Sequence, residues 1–233
     1  MKNKPLLIAL DVNRGADALA LAAQLSPEHC RLKIGKELYT REGRQLVEAL
    51  QKIGYDIFLD LKYHDIPNTV AAALRVAADM GVWMVNVHAS GGRKMLEAAA
   101  DAVAKHQRAP LLIAVTVLTS LGDSELREIG IEEPLAAHVA RLTALAADCG
   151  LNGVVCSAHE AGAIKAAHGS DFLTVTPGIR PAGSAADDQT RTMTPAAALQ
   201  AGSDYLVIGR PVTRAEKPAV ALSDILASLK AGA

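Results

Sequence analysis

Short apolar runs alternate with longer Ala- and Leu-rich stretches along the whole 233-residue chain. The runs at 6–12, 31–35, 56–62, 84–88, 111–118, 153–157, 172–177 and 205–209 read as strands, because each is brief, apolar and bounded by turn residues. The stretches at 16–25, 36–53, 69–80, 92–104, 134–149, 158–167, 195–201 and 219–229 read as amphipathic helices. Helix ends carry their own chemistry. Ser157-Ala158-His159-Glu160 fits a capping box, Thr194-Pro195 sets a cap residue before a first-turn proline, and Gly54, Gly81 and Gly150 stand where helices should stop.

The strands are nearly continuous apolar runs, not strict alternations. That predicts a parallel sheet buried on both faces by helices. Eight βα units in a chain of about this length predict a (β/α)₈ TIM barrel, typically of about 250 residues, as a single domain over 1–233. The open doubly wound sheet is the alternative, but the first strand lacks the glycine fingerprint of its dinucleotide-binding form. No linker, low-complexity tract or second domain divides the chain. The segment 181–194 is too polar and too rich in Gly, Ala and Asp for a strand and reads as a mobile loop.

Polar residues gather at the C-terminal ends of these strands. Asp11 ends the first, Lys33 lies near the end of the second, and Asp60 and Lys62 end the third. Asn86 and His88 end the fourth, Thr116, Thr119 and Ser120 the fifth, and Arg180 and Arg210 follow the seventh and eighth. In a closed barrel those ends meet on one face, where such enzymes keep their active sites. Asp60 and Lys62, two apart, share a side of their strand, and Asp65 follows just beyond. A lysine between carboxylates stays charged. It is then a fixed acid and a fixed positive charge, suited to chemistry that develops negative charge. The plainer alternative for such a triad, a solvated rim of surface ion pairs, does not explain why the other strand ends are polar as well.

The last two strands suggest an anion site. Thr176-Pro177-Gly178-Ile179-Arg180 and Val207-Ile208-Gly209-Arg210-Pro211 each pair a glycine with an arginine, and the second opens a short helix. Glycine lets a backbone N–H approach an anion, and arginine adds a planar fork matched to phosphate oxygens. Gln189, in the polar segment, is placed to reach the same phosphate.

Composition narrows the function classes. The net charge of −1 and an aromatic content of 3% give no footprint for nucleic acid and no platforms for stacked bases. Cys30, Cys149 and Cys156 have no CxxC spacing and read as small buried hydrophobes in a reducing cytoplasm. The apolar run after Met1-Lys2-Asn3-Lys4 is too short for a signal peptide or membrane span. His29, His106, His138, His159 and His168 fall in helices or connections and are expected to be solvated, His64 to be structural, and His88 to be a buried, hydrogen-bonded histidine. Nothing calls for a metal or other cofactor.

The stretch Asp60-Leu61-Lys62-Tyr63-His64-Asp65-Ile66-Pro67-Asn68-Thr69 closely resembles the signature of the orotidine 5′-phosphate decarboxylase family. The likeness extends along the chain through Leu7-Ile8-Ala9-Leu10-Asp11, Leu32-Lys33-Ile34-Gly35, Asn86-Val87-His88-Ala89, and the two glycine–arginine loops. It implies metal-free decarboxylation of orotidine 5′-phosphate to uridine 5′-phosphate, the last step of de novo pyrimidine synthesis. It also implies a homodimer in which Asp65 and Thr69 reach the neighbouring subunit's site. Lys62 would then protonate C6, held by Lys33, Asp60 and the partner's Asp65. Asp11 and Lys33 would contact the ribose, and Thr119, with Ser120 as a second candidate, the pyrimidine edge. Arg180, Gln189, Gly209 and Arg210 would grip the phosphate. The nearest rivals are a magnesium-dependent sugar-phosphate decarboxylase or lyase of the same superfamily, such as the 3-keto-L-gulonate 6-phosphate decarboxylase group, and a non-catalytic phosphate-binding dimer. Lys33 stands where the magnesium enzymes have an acidic residue, and would repel a cation.

Overall fold

The computed structural model describes residues 4–181 and 192–231. Gln189 and most of the expected polar loop lie outside the described residues. Among those described, eight parallel strands close into a barrel in chain order. The chain runs β1 (Leu6–Ala9), α1 (Gly15–Ala22), β2 (Arg31–Gly35), α2 (Lys36–Lys52), β3 (Ile57–Tyr63), α3 (Pro67–Asp79) and β4 (Met84–His88). A 3-10 turn (Ala89–Gly91) leads to α4 (Arg93–Ala104), β5 (Leu111–Val115), α5 (Asp123–Glu128), α6 (Leu135–Asp148), β6 (Gly153–Val155), α7 (Ala158–His168) and β7 (Leu173–Thr176). The barrel finishes with α8 (Pro195–Gln200), β8 (Tyr205–Ile208), α9 (Arg210–Thr213) and α10 (Pro218–Ala231).

The predicted caps form. Ser157 accepts from the His159 N–H while Glu160 reaches back to the Ser157 N–H, and Thr194 caps α8 ahead of Pro195. Gly54, Gly81 and Gly150 all take positive φ beyond helix ends.

Both faces of the strands are buried, which is why they read as continuous apolar runs. Outward residues such as Leu6, Ile8, Leu32, Ile34, Leu59 and Val85 pack under the helices. Inward residues Leu7, Phe58, Met84, Ile113, Leu173, Val175 and Tyr205 form a second cluster that fills the barrel. Arg31 lies below this plug, over the Trp83 ring at 4.1 Å, with its charge met by Asp56. Above the plug, the period of two places the next inward residues of β2 and β3, Lys33 and Asp60, one step higher. They sit on an apolar floor and face the open end.

Candidate active site

The open end of the barrel is a cleft of about 430 Å³, a usual size for a small-ligand site. Its walls carry Asp11, Lys33, Asp60 and Lys62 on one side and Gly178, Arg180, Gly209 and Arg210 on another, with Val115, Val117, Thr119 and Val155 between. Asp11, Lys33, Asp60, Lys62, Thr119, Arg180, Gly209 and Arg210 thus meet as the sequence predicts. Thr116 does not join them: its hydroxyl donates to the Val155 carbonyl, 3.1 Å away. Ser120 is exposed and is not among the lining residues.

The charges form a chain. The Lys62 Nζ donates to Asp60 Oδ1 at 2.6 Å, and the Lys33 Nζ stands 3.2 Å from Asp60 Oδ2. Asp11 Oδ1 follows at 3.9 Å from Lys33. Both Lys33 and Asp60 are buried. Burial alone would push the Asp60 carboxyl up. Lys33, Lys62 and the Asn86 amide outweigh it and hold the carboxyl below the ordinary range. The arrangement is therefore an ion chain whose members hold one another in place.

Asp65 does not flank Lys62 from within its own chain. It is exposed, and its Oδ1 accepts from the Ile66 N–H at 2.6 Å. Thr69 is exposed as well, on the first turn of α3, and Ile66 beside them is 67% exposed. Among the described residues of a single chain, then, the lysine has one carboxylate neighbour, not two.

At the far side, Gly178 takes φ +77, a conformation that favours glycine, and turns the chain out of β7 into Arg180. Gly209 serves differently: a Cβ there would lie 3.2 Å from Asp11 Oδ2, so a larger residue would crowd the cleft. Arg214 also lines this wall and went unnoticed in the sequence. The signal was its spacing of four from Arg210, which sets two side chains on one helical face.

The histidine expectations need correction at two places: His138, expected to be solvated, and His88, expected to be buried and found only half-buried. His138 is buried, its Nδ1 2.5 Å from Glu133 Oε1 with Arg141 alongside. It lies four before the buried Leu142 on the inner face of α6, so the helical period carried that information. His88 is half-buried, and its ring meets the exposed His64 ring at 5.5 Å. Its imidazole is lowered to about 4, first by burial, then by His64, Lys36 and Lys62, against a smaller opposite pull from Asp60. An unfolded histidine binds its proton near 6.5. Between about pH 6.5 and 4 the unfolded state therefore holds more protons, and stability falls as pH falls through that window. His88→Asn should flatten this part of the curve of urea midpoint against pH; an unchanged slope would contradict it.

Among the described residues no three His, Cys, Asp or Glu side chains cluster closely enough to hold a metal ion, and no helix is long and apolar enough to cross a membrane. Cys30, Cys149 and Cys156 are buried, and none is in a disulfide.

Comparison with known proteins sets this geometry in context. Residues 4–225 match the model of the Orotidine 5′-phosphate decarboxylase / HUMPS family. A protein of Teredinibacter turnerae called orotidine 5′-phosphate decarboxylase is 59% identical over 97% of both chains. One of that name from Chromobacterium violaceum is 61% identical, covering 95% of this chain and 90% of its own. The crystal structure of orotidine 5′-phosphate decarboxylase from Lactobacillus acidophilus superposes with a TM-score of 0.86 at 38% identity, over 97% of this chain and 99% of that one.

Proposed function

The chain belongs to the orotidine 5′-phosphate decarboxylase / HUMPS family, and from that premise we propose that it converts orotidine 5′-phosphate to uridine 5′-phosphate and carbon dioxide in pyrimidine biosynthesis, without a metal. The observation that carries this reading is the Lys33–Asp60–Lys62 chain, anchored on the buried Lys33 and Asp60, sharing one cleft with Arg180 and Arg210. It offers an ammonium at one end and a phosphate grip at the other, about as a nucleotide requires.

In the reaction the bond from C6 to the carboxylate breaks, its electron pair stays on C6, and carbon dioxide leaves. Lys62 gives a proton to C6 and is later reprotonated by solvent. Its positive charge is in place before the carbanion forms, so little reorganisation is needed when charge develops. Asp60, itself anchored by Lys33, holds that ammonium, and Lys33 and Asp11 meet the ribose hydroxyls. Thr119 meets the pyrimidine edge. Arg180, Gly209 and Arg210 hold the phosphate, with Gln189, outside the described residues, as a further member. Phosphate binding far from the reacting carbon can lower the barrier there, because remote binding energy fixes the substrate in its reactive pose.

The working enzyme is proposed to be a cytoplasmic homodimer. The exposed Asp65, Ile66 and Thr69, side by side at the head of α3, support a face that enters a neighbour's site and supplies the second carboxylate to Lys62. The magnesium-dependent sugar-phosphate reading fits poorly, since the ammonium of Lys33 would repel the cation.

One assay separates these readings: orotidine 5′-phosphate with excess chelator, followed by pyrimidine absorbance and carbon dioxide release. Turnover supports the proposal. Activity only on a sugar phosphate with magnesium would replace it, and binding without turnover would leave a phosphate-binding protein. Arg210→Ala should raise KM and weaken uridine 5′-phosphate binding by roughly tenfold to a hundredfold, the worth of a charge-assisted bond or two. Calorimetric titration of the product checks this, and unchanged affinity would move the phosphate elsewhere.

A further inference from the structure

The loop geometry around Lys62 holds a feature the reaction does not account for. Lys62 has φ +52, a left-handed conformation that is strained for a residue carrying a Cβ. It lies in an irregularity of β3: Leu59 pairs with Val85, but the next partner of Val87 is Tyr63, so four steps of β3 match two of β4. Such a bulge re-aims side chains and interrupts the ladder of backbone hydrogen bonds. The Lys62 N–H does not lack a partner, however. It donates to the side-chain Oδ1 of Asn86 on β4, at 2.8 Å.

The other end of the same amide is equally committed. Asn86 Nδ2 donates to Asp60 Oδ1 at 2.7 Å, the oxygen that also receives the Lys62 ammonium at 2.6 Å. The amide's orientation follows from its partners, because a backbone N–H can only donate and a carboxylate oxygen can only accept. Asn86 is fully buried, with Ile113 opposite it on β5.

We propose that Asn86 is a positioning residue for the catalytic lysine, holding the Lys62 main chain in its left-handed turn and fixing the Asp60 oxygen on which the ammonium rests. The proposal rests on the reading of Lys62 as the acid. It makes one amide the hinge between the strain that aims the lysine and the charge that holds it. Apolar residues of similar size offer neither bond. An aspartate offers the acceptor but sets a second carboxylate against Asp60.

The test uses Asn86→Ala and the nearly isosteric Asn86→Asp in the full-length protein. Asn86→Ala should lower kcat by on the order of 10²-fold, the cost of a reacting group misplaced by about an ångström. KM and the affinity for uridine 5′-phosphate should change by less than about threefold, because the phosphate wall is untouched. A crystal structure of the variant should show residue 62 leaving the left-handed region. Asn86→Asp supplies a readout that general loosening would not move. Its new carboxyl faces Asp60 and Lys62 from β3, Lys33 from β2 and His88 two residues along β4. Protonated, it restores both bonds; ionised, it opposes Asp60. The ratio of its kcat to that of the wild type should therefore rise as pH falls, while the same ratio for Asn86→Ala stays flat. If Asn86→Ala turns over within about threefold of wild type, or residue 62 keeps its φ, or the Asn86→Asp ratio is flat with pH, the proposal is overturned. Failure of the underlying reading looks different: the wild type itself would not decarboxylate orotidine 5′-phosphate.

Discussion

Lys62→Ala should abolish turnover while leaving the product bound nearly as well as before. A positioned general acid contributes on the order of 10²–10⁴-fold, and removing preorganised charge at a developing anion costs about 10²–10³-fold more. The loss in kcat should therefore reach at least about 10⁴-fold, taking the lower end of both ranges. Binding should survive, because the phosphate wall lies across the cleft from the lysine. The variant should also fold well. Lys62 is about a quarter exposed, and its loss leaves Asp60 still paired with Lys33 and Asn86. Stopped-flow decarboxylation and product titration on the same preparation check both halves. Activity near normal would remove Lys62 from the role of acid.

Asp60→Asn is the second large effect, of a different kind. The substitution keeps the shape but takes away the negative charge between two ammonium groups. Lys33 and Lys62 would then face each other without their shared counter-ion, in a site from which one of them is largely shielded from water. Breaking a buried ion pair by removing one partner costs about 3–5 kcal/mol. Part of that should appear as a lower urea midpoint and part as a lysine that swings aside or loses its proton. We expect kcat to fall by roughly 10³-fold, since the loss strikes both the acid's charge and its position. The pH dependence distinguishes this from simple unfolding. In the wild type the carboxyl is held below its ordinary value, so the stability it brings is present above about pH 4 and is lost as pH falls through the depressed folded value. The variant should lack that acid-side decline.

The barrel was legible because its strands are buried on both sides, leaving short continuous apolar runs set between longer amphipathic stretches. The ends were harder to place. The runs at 6–12 and 111–118 extend past strands that stop at Ala9 and Val115. The excess residues are apolar for another reason: Val117 and Leu118 line the cleft and need no ladder partner. Short α5 was missed because it carries a single buried residue, Leu126, too few to set a period. The polar side chains at the strand ends were visible one by one, and their convergence followed from barrel closure.

What the linear chain hid was the conformation of Lys62. A lysine carries no local preference for positive φ, and the group that holds it lies 24 residues away on the next strand. Asn86 read as a strand-end polar residue like several others, and only the register between β3 and β4 brings its amide onto both Lys62 and Asp60. Asp65, which the sequence sets just beyond Lys62, stands exposed with its carboxylate on the Ile66 N–H, because the chain turns into α3 there. Arg214 and His138 differ from these: both lay on a helical period that could have been read.

The claim that a protein ammonium, and not a metal, completes the reaction is tested most directly by running the wild-type enzyme on orotidine 5′-phosphate in deuterium oxide with excess chelator. The account predicts an undiminished rate in chelator, one carbon dioxide per turnover, and uridine 5′-phosphate carrying a single deuterium at C6. Loss of turnover on adding chelator, restored by magnesium, would contradict it.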